Sequence, residues 1–345
     1  MITEIQPPYR HTQAYDQQPI DFIRLTDGRD LAIRRQGHGE HTIIDFHGSP
    51  GSRLNPVPRG LTLHKLNINV ISFDRPGYGY STSNDGRRVI DTAYDIRQVS
   101  AVLGIETFGI IARSGGVAHA LGCAALMPEQ VSGVVGMAGA APPELVQDWT
   151  KNMTADNQAK HALAKDDPGY LRREFRNHAL DTRINNAAII DLISPDLASD
   201  DASMIQPFSP LGALTKYSHC EGLRVNGDGW YEDVMAVNNP QGWGFDIADV
   251  RCPTVFVQGS QDPFVDVRHM HALQRTIPHA ASVLFEEMGH FGGLRFIESA
   301  LSYLVERSQE SMSNGHSQQP DAQALMQKFT RNTLYGEAIR PTVIT

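Results

Sequence analysis

Cysteine is scarce in this sequence. Its 345 residues hold three, Cys123, Cys220 and Cys252. None forms a CxxC pair, so a disulfide scaffold is not expected. Cys123 falls in an apolar helical run and Cys252 just before an apolar strand, which marks both as buried bystanders. Long hydrophobic runs are missing too. No stretch approaches the ~18 continuous apolar residues of a membrane span. The opening MITEIQPPYRHTQ carries no apolar segment of the signal-peptide kind, so the expectation is a cytoplasmic protein with no membrane partner. Positive charge is in short supply: 30 Lys and Arg face 39 Asp and Glu, a formal net charge of -9. With no basic run either, a nucleic-acid partner is not expected. No GxGxxG follows an early strand, so a dinucleotide site is unsupported. His269 and His271 lie two apart in a predicted helix, do not share a face, and have no acidic partner set arranged with them; metal catalysis is not expected.

What is present is 41% hydrophobic and 20% charged, ordinary for a globular chain and long enough for one large domain with an insertion. Residues 1–20 are polar and read as an arm. Asp27-Gly28 between apolar-containing runs at 21–27 and 30–36 predicts an antiparallel hairpin. Short apolar runs then follow at 41–46, 70–73, 108–112, 131–137, 254–257 and 281–286. Helical stretches at 60–66, 88–103, 115–127, 266–276 and 293–306 separate them. Apolar runs without alternation suit parallel strands covered on both faces, so the fold class is α/β. Between 141 and 245 the rhythm changes to charged helical runs and Asn, Asp and Gly turns, which predicts an inserted, mainly helical domain. The expected division is a core at 21–140 and 246–307, the insertion at 141–245, and a linker with a C-terminal extension at 308–345. In that last part SQESMSNGHSQQP (308–320) reads as flexible, followed by one more helix and an extended end.

The stretch Phe108 to Val117 runs a buried strand into Ser114 and straight on into a helix. Such a turn aims the serine hydroxyl outward and needs small residues two before and two after it, here Ala112 and Gly116. The free N–H groups of the helix start can hold an oxyanion, with Gly115 the first donor; the competing reading is a serine that merely caps the helix. Asp262 and His290 each follow another strand of the series, at the carboxyl ends where open parallel sheets place their sites. His290 is then the base for Ser114, and Asp262 orients it. Rival acids fit less well: Asp266 opens the next helix, Glu286 and Glu287 sit too near His290, and Asp246 and Asp249 precede their strand. The loop His47 to Gly51 supplies a second oxyanion donor, the N–H of Ser49, because Pro50 has none. His47 braces that loop, and Asp74 is expected to pair with Arg75 in the next turn. Candidates for substrate contact are Arg113, Trp149, Phe208, Tyr217 and Trp230, with Phe175, Met204 and Tyr231 behind them; packing within the insertion is the alternative for each aromatic. Arg113 points either beneath the turn into a salt bridge or toward an acidic substrate group.

Taken together, HGSPGSR (47–53), FDRPGYGYS (73–81), ARSGG (112–116), GSQDPFVD (259–266) and GHFGG (289–293) resemble the α/β-hydrolase superfamily, on both sides of the insertion. Ala112 departs from the G-x-S-x-G pattern by one methyl. The resemblance implies an eight-stranded, mostly parallel sheet with helices on both faces and a helical cap over the site. It also implies cofactor-free acyl transfer on a small molecule, cleaving an ester, lactone, amide or activated carbon–carbon bond. The core is also similar to proline iminopeptidases, which commonly carry tryptophan where this chain has Gly115. That activity would require Glu174, Glu221 or Glu232 to hold a free amine. A lyase or cyclase on the same scaffold, and last a non-catalytic binding protein, are the other readings, and homo-oligomerisation stays open.

Overall fold

In the computed structural model, residues 5–9, 20–206, 209–314, 319–332, 338–339 and 341–345 are described. Strands β1 (Ile5–Tyr9), β2 (Ile20–Arg24), β3 (Asp30–Gln36) and β4 (His41–Phe46) lead into α1 (Gly60–Lys65), β5 (Ile68–Phe73), α2 (Asp91–Leu103), β6 (Phe108–Arg113), α3 (Gly116–Leu126) and β7 (Val131–Met137). The insertion follows as α4 (Ala155–Asp166), α5 (Pro168–Ile184), α6 (Ala188–Ile193), α7 (Ser199–Met204), α8 (Pro210–Gly222) and α9 (Asp228–Val237). The core resumes with β8 (Thr254–Gly259), α10 (Val267–Thr276), β9 (Ala280–Phe285) and α11 (Ile297–Asn314). It ends with α12 (Ala322–Phe329), the short pair β10 (Arg331–Asn332) and β11 (Ala338–Ile339), and β12 (Thr342–Ile344).

The main sheet runs β1-β2-β3-β5-β4-β6-β7-β8-β9-β12. The six strands from β5 to β9 in that order are parallel, and the β2–β3 hairpin joins them antiparallel through β3. Those eight are the strands expected; β1 and β12 add an antiparallel strand at either edge. Side chains alternate between faces with period two. Ile44, Phe46, Ile110, Ala112, Val134 and Phe256 pack with Ile96 and Val99 of α2, Val117 and Leu121 of α3 and Leu273 of α10. Their neighbours Ile43, Val70, Ile111, Val135, Val255 and Val257 pack on the other face with Leu63 of α1, Leu301 and Leu304 of α11 and Phe329 of α12.

The C-terminal part departs from expectation. Residues 308–314, read as flexible linker, continue α11. The buried Ser308 contacts His41 Nδ1 through its hydroxyl (3.1 Å), and Arg307 pairs with Glu310 at 2.6 Å across one turn. These contacts outweigh the polar composition that suggested a linker. Beyond it, α12 buries Leu325 and Phe329 in the second core cluster, and β12 pairs Val343 with Val283 of β9. The extension is therefore part of the folded core. Residues 315–318, Phe208 and most of the N-terminal arm lie outside the described residues.

Among the described residues the insertion contains helices and no strand. Thr154 and Asp167 cap α4 and α5 by accepting from the N–H groups of Asn157 and Tyr170, and Pro168 takes the first helical position, where a missing N–H costs nothing. Leu171, Phe175, Leu223, Trp230 and Val234 form a small core there, closed from below by Tyr78. No helix among the described residues is long and apolar enough to cross a membrane.

Candidate active site

Between β6 and α3, Ser114 holds a left-handed backbone, φ 47°, a conformation that costs a non-glycine residue about 1 kcal/mol or more. The surrounding backbone enforces it. The Ser114 N–H donates to the Met137 carbonyl (2.8 Å), and its own carbonyl accepts from Val117 (3.0 Å). A Cβ on Gly116 would sit 2.5 Å from the His47 carbonyl oxygen and 2.7 Å from that of Phe46, so only glycine lets the helix start beneath the loop. Ala112 lies fully buried in register between Phe46 and Gly136. The space beside the neighbouring Gly136 is taken by Val117 and Phe256, whose atoms lie 3.1 and 3.2 Å from where its Cβ would be.

His290 Nδ1 lies 3.0 and 2.9 Å from the two Asp262 carboxylate oxygens. The carboxylate is itself fixed by the N–H groups of Phe264 (2.9 Å) and Val265 (3.0 Å) and by Gln258 Nε2 (3.2 Å). Nδ1 therefore carries the donated proton, and Nε2 is the acceptor. Burial opposes charging of the imidazole, but the Asp262 carboxylate, with help from Asp201, outweighs it and raises the His290 pKa above its usual value. Ser114 and His290 line the same cavity. Of the rival acids, Asp266 caps α10 through the Arg268 N–H, Glu286 and Glu287 are exposed, and Asp246 caps a short turn before β8.

The loop after β4 brings its backbone over the serine. The position a Cβ would take on Gly115 lies 3.5 Å from the Ser49 nitrogen, so the two expected oxyanion donors are neighbours. His47 braces this loop: Nε2 accepts from the Arg75 N–H (3.1 Å), which leaves Nδ1–H to donate to the Gly48 carbonyl (2.7 Å). Arg75 does not pair with Asp74 as expected. Adjacent residues in the turn point opposite ways: Asp74 binds Arg53 (2.6 Å), while Arg75 reaches the carbonyls of His47 and Gly48 and the Ser49 hydroxyl. Its counter-ion is Asp233, from α9 of the insertion, at 2.6 Å. Asp233 also accepts from Arg87 (2.6 Å), Tyr78 (2.8 Å) and Ser49 and meets His119 Nε2 at 3.2 Å. Burial alone would raise its pKa; two guanidinium groups hold it well below the usual carboxylate range.

Two arms leave the serine. One, about 100 Å³, contains His290, Phe291, Met137, Leu294, Ile189, Thr215, Ser218, His219 and Arg113. The other, about 110 Å³, contains Ser49, Gly115, Trp149, Asn157, Lys160, His161, Trp230, Asp233 and Phe264. Arg113 takes the direction beneath the turn, donating to the Pro56 carbonyl (2.7 Å) and lying 3.4 Å from buried Asp45, while still forming part of the first arm's wall. Trp149 and Trp230 line the second arm. Tyr217 on α8 lines neither. Phe175 stacks beneath Trp230 at 4.1 Å, and Tyr231 packs in the same cluster. Glu221 pairs with Arg53 (2.7 Å), Glu232 accepts from Gly86 (2.8 Å) and Glu174 is exposed, so none of these acids faces either arm. Sequence reasoning missed Asn157, Lys160, His161, Thr215, His219 and Asp233; they sit at helical positions in the insertion with no motif to mark them. The contact of His41 with Ser308 lies elsewhere: His41 opens β4 at the amino end of the sheet, away from the strand ends that carry Ser114 and His290. Among the described residues no group of three or more metal-ligating side chains occurs.

A model of the α/β-hydrolase fold family matches residues 42–295. An esterase from Exiguobacterium antarcticum is 20% identical, with 83% of this chain and 98% of that one covered at a TM-score of 0.57. The enol-lactonase from Burkholderia xenovorans LB400 is 15% identical over 84% of this chain and all (100%) of that one, TM-score 0.60. A bromoperoxidase from Bacillus anthracis is 16% identical over 85% of this chain and 97% of that one, TM-score 0.57. At such identities the neighbours establish the fold, and their different reactions leave the chemistry to the site. No curated protein sequence matches the chain.

Proposed function

Because the chain belongs to the α/β-hydrolase fold family, we propose that it is a serine hydrolase that cleaves an ester, lactone, amide or activated carbon–carbon bond of a small molecule through Ser114, Asp262 and His290. The observation that carries this reading is a serine at φ 47° sharing one cavity with a histidine whose far nitrogen is held by a buried carboxylate. Ser114 Oγ attacks the carbonyl carbon as His290 Nε2 takes its proton. The new oxyanion lies between the N–H groups of Ser49 and Gly115, where losing one donor costs about 3 kcal/mol in the transition state. His290 then returns the proton to the leaving group. Water, activated by the same nitrogen, hydrolyses the acyl-enzyme and restores Ser114. Asp262 stabilises the imidazolium and keeps the tautomer. The insertion at 141–245 supplies the cap walls of both arms and with them substrate choice.

The test is a panel of aryl esters, lactones and N-terminal proline amides assayed with the wild type and Ser114→Ala. One class should be turned over, with activity falling about 10⁴-fold or more in the variant. Undiminished hydrolysis by Ser114→Ala would falsify the mechanism.

A further inference from the structure

The two arms are chemically unequal, and the reaction assigns them. In the tetrahedral intermediate the leaving group must meet His290, which protonates it, so it occupies the arm that contains His290. The acyl substituent takes the other arm, which has the oxyanion donors and lacks the histidine. On the leaving-group side the one permanent cation among the described residues, Arg113, lies against the buried carboxylate of Asp45. The acyl side is different. Behind Ser49, the guanidinium groups of Arg75 and Arg87 share the carboxylate of Asp233, so that carboxylate is already fully engaged. His161 is held neutral, its pKa lowered to about 4 by burial.

Lys160 stands at the cap end of this arm and also lines the space joining it to Ser114 and His290. Its side chain is 15% exposed, and its ammonium lies 4.6 Å from the centre of the Trp230 ring. One of its three N–H donors goes to Asp156, whose own side chain is 45% exposed. The other two meet no protein acceptor among the described residues. Asp156 and Asp196 stand beside it in the space shared with Ser114 and His290, yet two of its donors are left for an anionic oxygen of a ligand, which forms charge-assisted hydrogen bonds stronger than neutral ones.

We infer that Lys160 binds a carboxylate on the acyl half of the substrate, so that the hydrolysed compound is a monoester of a dicarboxylic acid or a lactone that carries a free carboxylate. This rests on the serine-hydrolase reading above. Trp230 and Trp149 flank the intervening carbon chain, and the apolar side chains of the first arm receive the alcohol.

The experiment compares p-nitrophenyl hemiesters of succinate, glutarate and adipate with the same compounds capped as methyl esters. The leaving group is constant, so only the distal charge varies. The wild type should favour at least one hemiester over its methyl ester by about tenfold to a hundredfold in kcat/KM, as expected for a hydrogen bond to a charged group. Lys160→Met should bring that ratio to about one, through KM rather than kcat, and Lys160→Arg should keep most of it. Because the readout is a ratio within one protein, partial loss of folded enzyme does not alter it. Glutarate should also slow fluorophosphonate labelling of Ser114 in the wild type and not in Lys160→Met. Equal turnover of capped and uncapped esters by the wild type, or a preference that survives in Lys160→Met, overturns the inference while leaving the serine mechanism intact. Esterase activity that persists in Ser114→Ala removes the mechanism itself.

Discussion

Ser114, Asp262 and His290 each follow the carboxyl end of a parallel strand, whereas the cap offers its site residues from helices: Asn157 and Lys160 on α4, Ile189 on α6, Thr215 on α8, Trp230 and Asp233 on α9. On the strand side, backbone sterics fix position. Ser114 sits at φ 47°, and Gly116 has no room for a Cβ, so few residue types fit. On the cap side, charge and stacking fix position. Two buried cap carboxylates reach across to the core, Asp233 to the Ser49 hydroxyl and Asp201 to the backbone N–H of Phe291 beside the histidine. The cap thus braces the loops it covers, and the difference between the halves is between a geometry that permits few substitutions and a charge pattern that can be tuned.

Asp262→Asn tests the strand side at its strongest. An asparagine cannot hold Nδ1–H in the same way, so kcat should fall about 10⁴-fold. The residual activity should carry a second mark. His290 must be neutral to act as base, so kcat/KM rises with pH through its pKa. Burial lowers that pKa and the Asp262 carboxylate more than restores it, so removing the charge should move the acid limb to lower pH. A loss below tenfold would mean that the strand ends are not where the chemistry is set.

Asp233→Ala asks whether the cap side matters to the same fold. It leaves Arg75 and Arg87 buried side by side without their counter-ion, which should cost about 3–5 kcal/mol of stability, read by urea unfolding. The pH dependence has a definite sign. The Asp233 pKa is depressed in the native state, so its contribution is present above the unfolded value of about 3.9 and is lost as pH falls toward the folded one. The variant should therefore lose less stability on acidification than the wild type. A variant as stable as the wild type would reduce the cap to a detachable lid.

How far the sequence could be read follows the same division. The elbow at 108–117, the strand series and the order Ser114, Asp262, His290 were legible because each depends on local rules: apolar run length, glycine at a close approach, a polar residue just past a strand. The loop at 47–51 was expected to pass near the serine, and the position a Cβ would take on Gly48 lies 3.5 Å from the Ser114 Cβ. Edge strands β1 and β12 were not, since their pairing with β2 and β9 is decided by register and not by composition. Helix α11 continued through a polar stretch because Ser308 finds His41, 267 residues away. Asp233 and Lys160 looked like ordinary polar positions on charged helices. Only the fold brings Arg75 and Arg87 to the first and Trp230 to the second.

Asp201→Asn should have the smallest and most informative effect. Both Asp201 oxygens lie 3.1 Å from the Phe291 nitrogen, and an asparagine oxygen can still accept that N–H, so the loop stays anchored. Burial raises the Asp201 pKa, with Asp262 adding to it, against the opposing pull of the Phe291 N–H and His290. The native state therefore binds this proton more tightly than the unfolded chain does. Wild-type stability falls as pH rises from about 3.9 through the raised native value. Asparagine removes that dependence, so at neutral pH the variant should match or exceed the wild type, within about 1 kcal/mol. The same substitution takes away the lesser of the two negative charges that raise the His290 pKa. The acid limb of kcat/KM should therefore shift to lower pH, by less than in Asp262→Asn. An unmoved limb would confine Asp201 to anchoring the loop and leave the proton chemistry wholly to the strand ends.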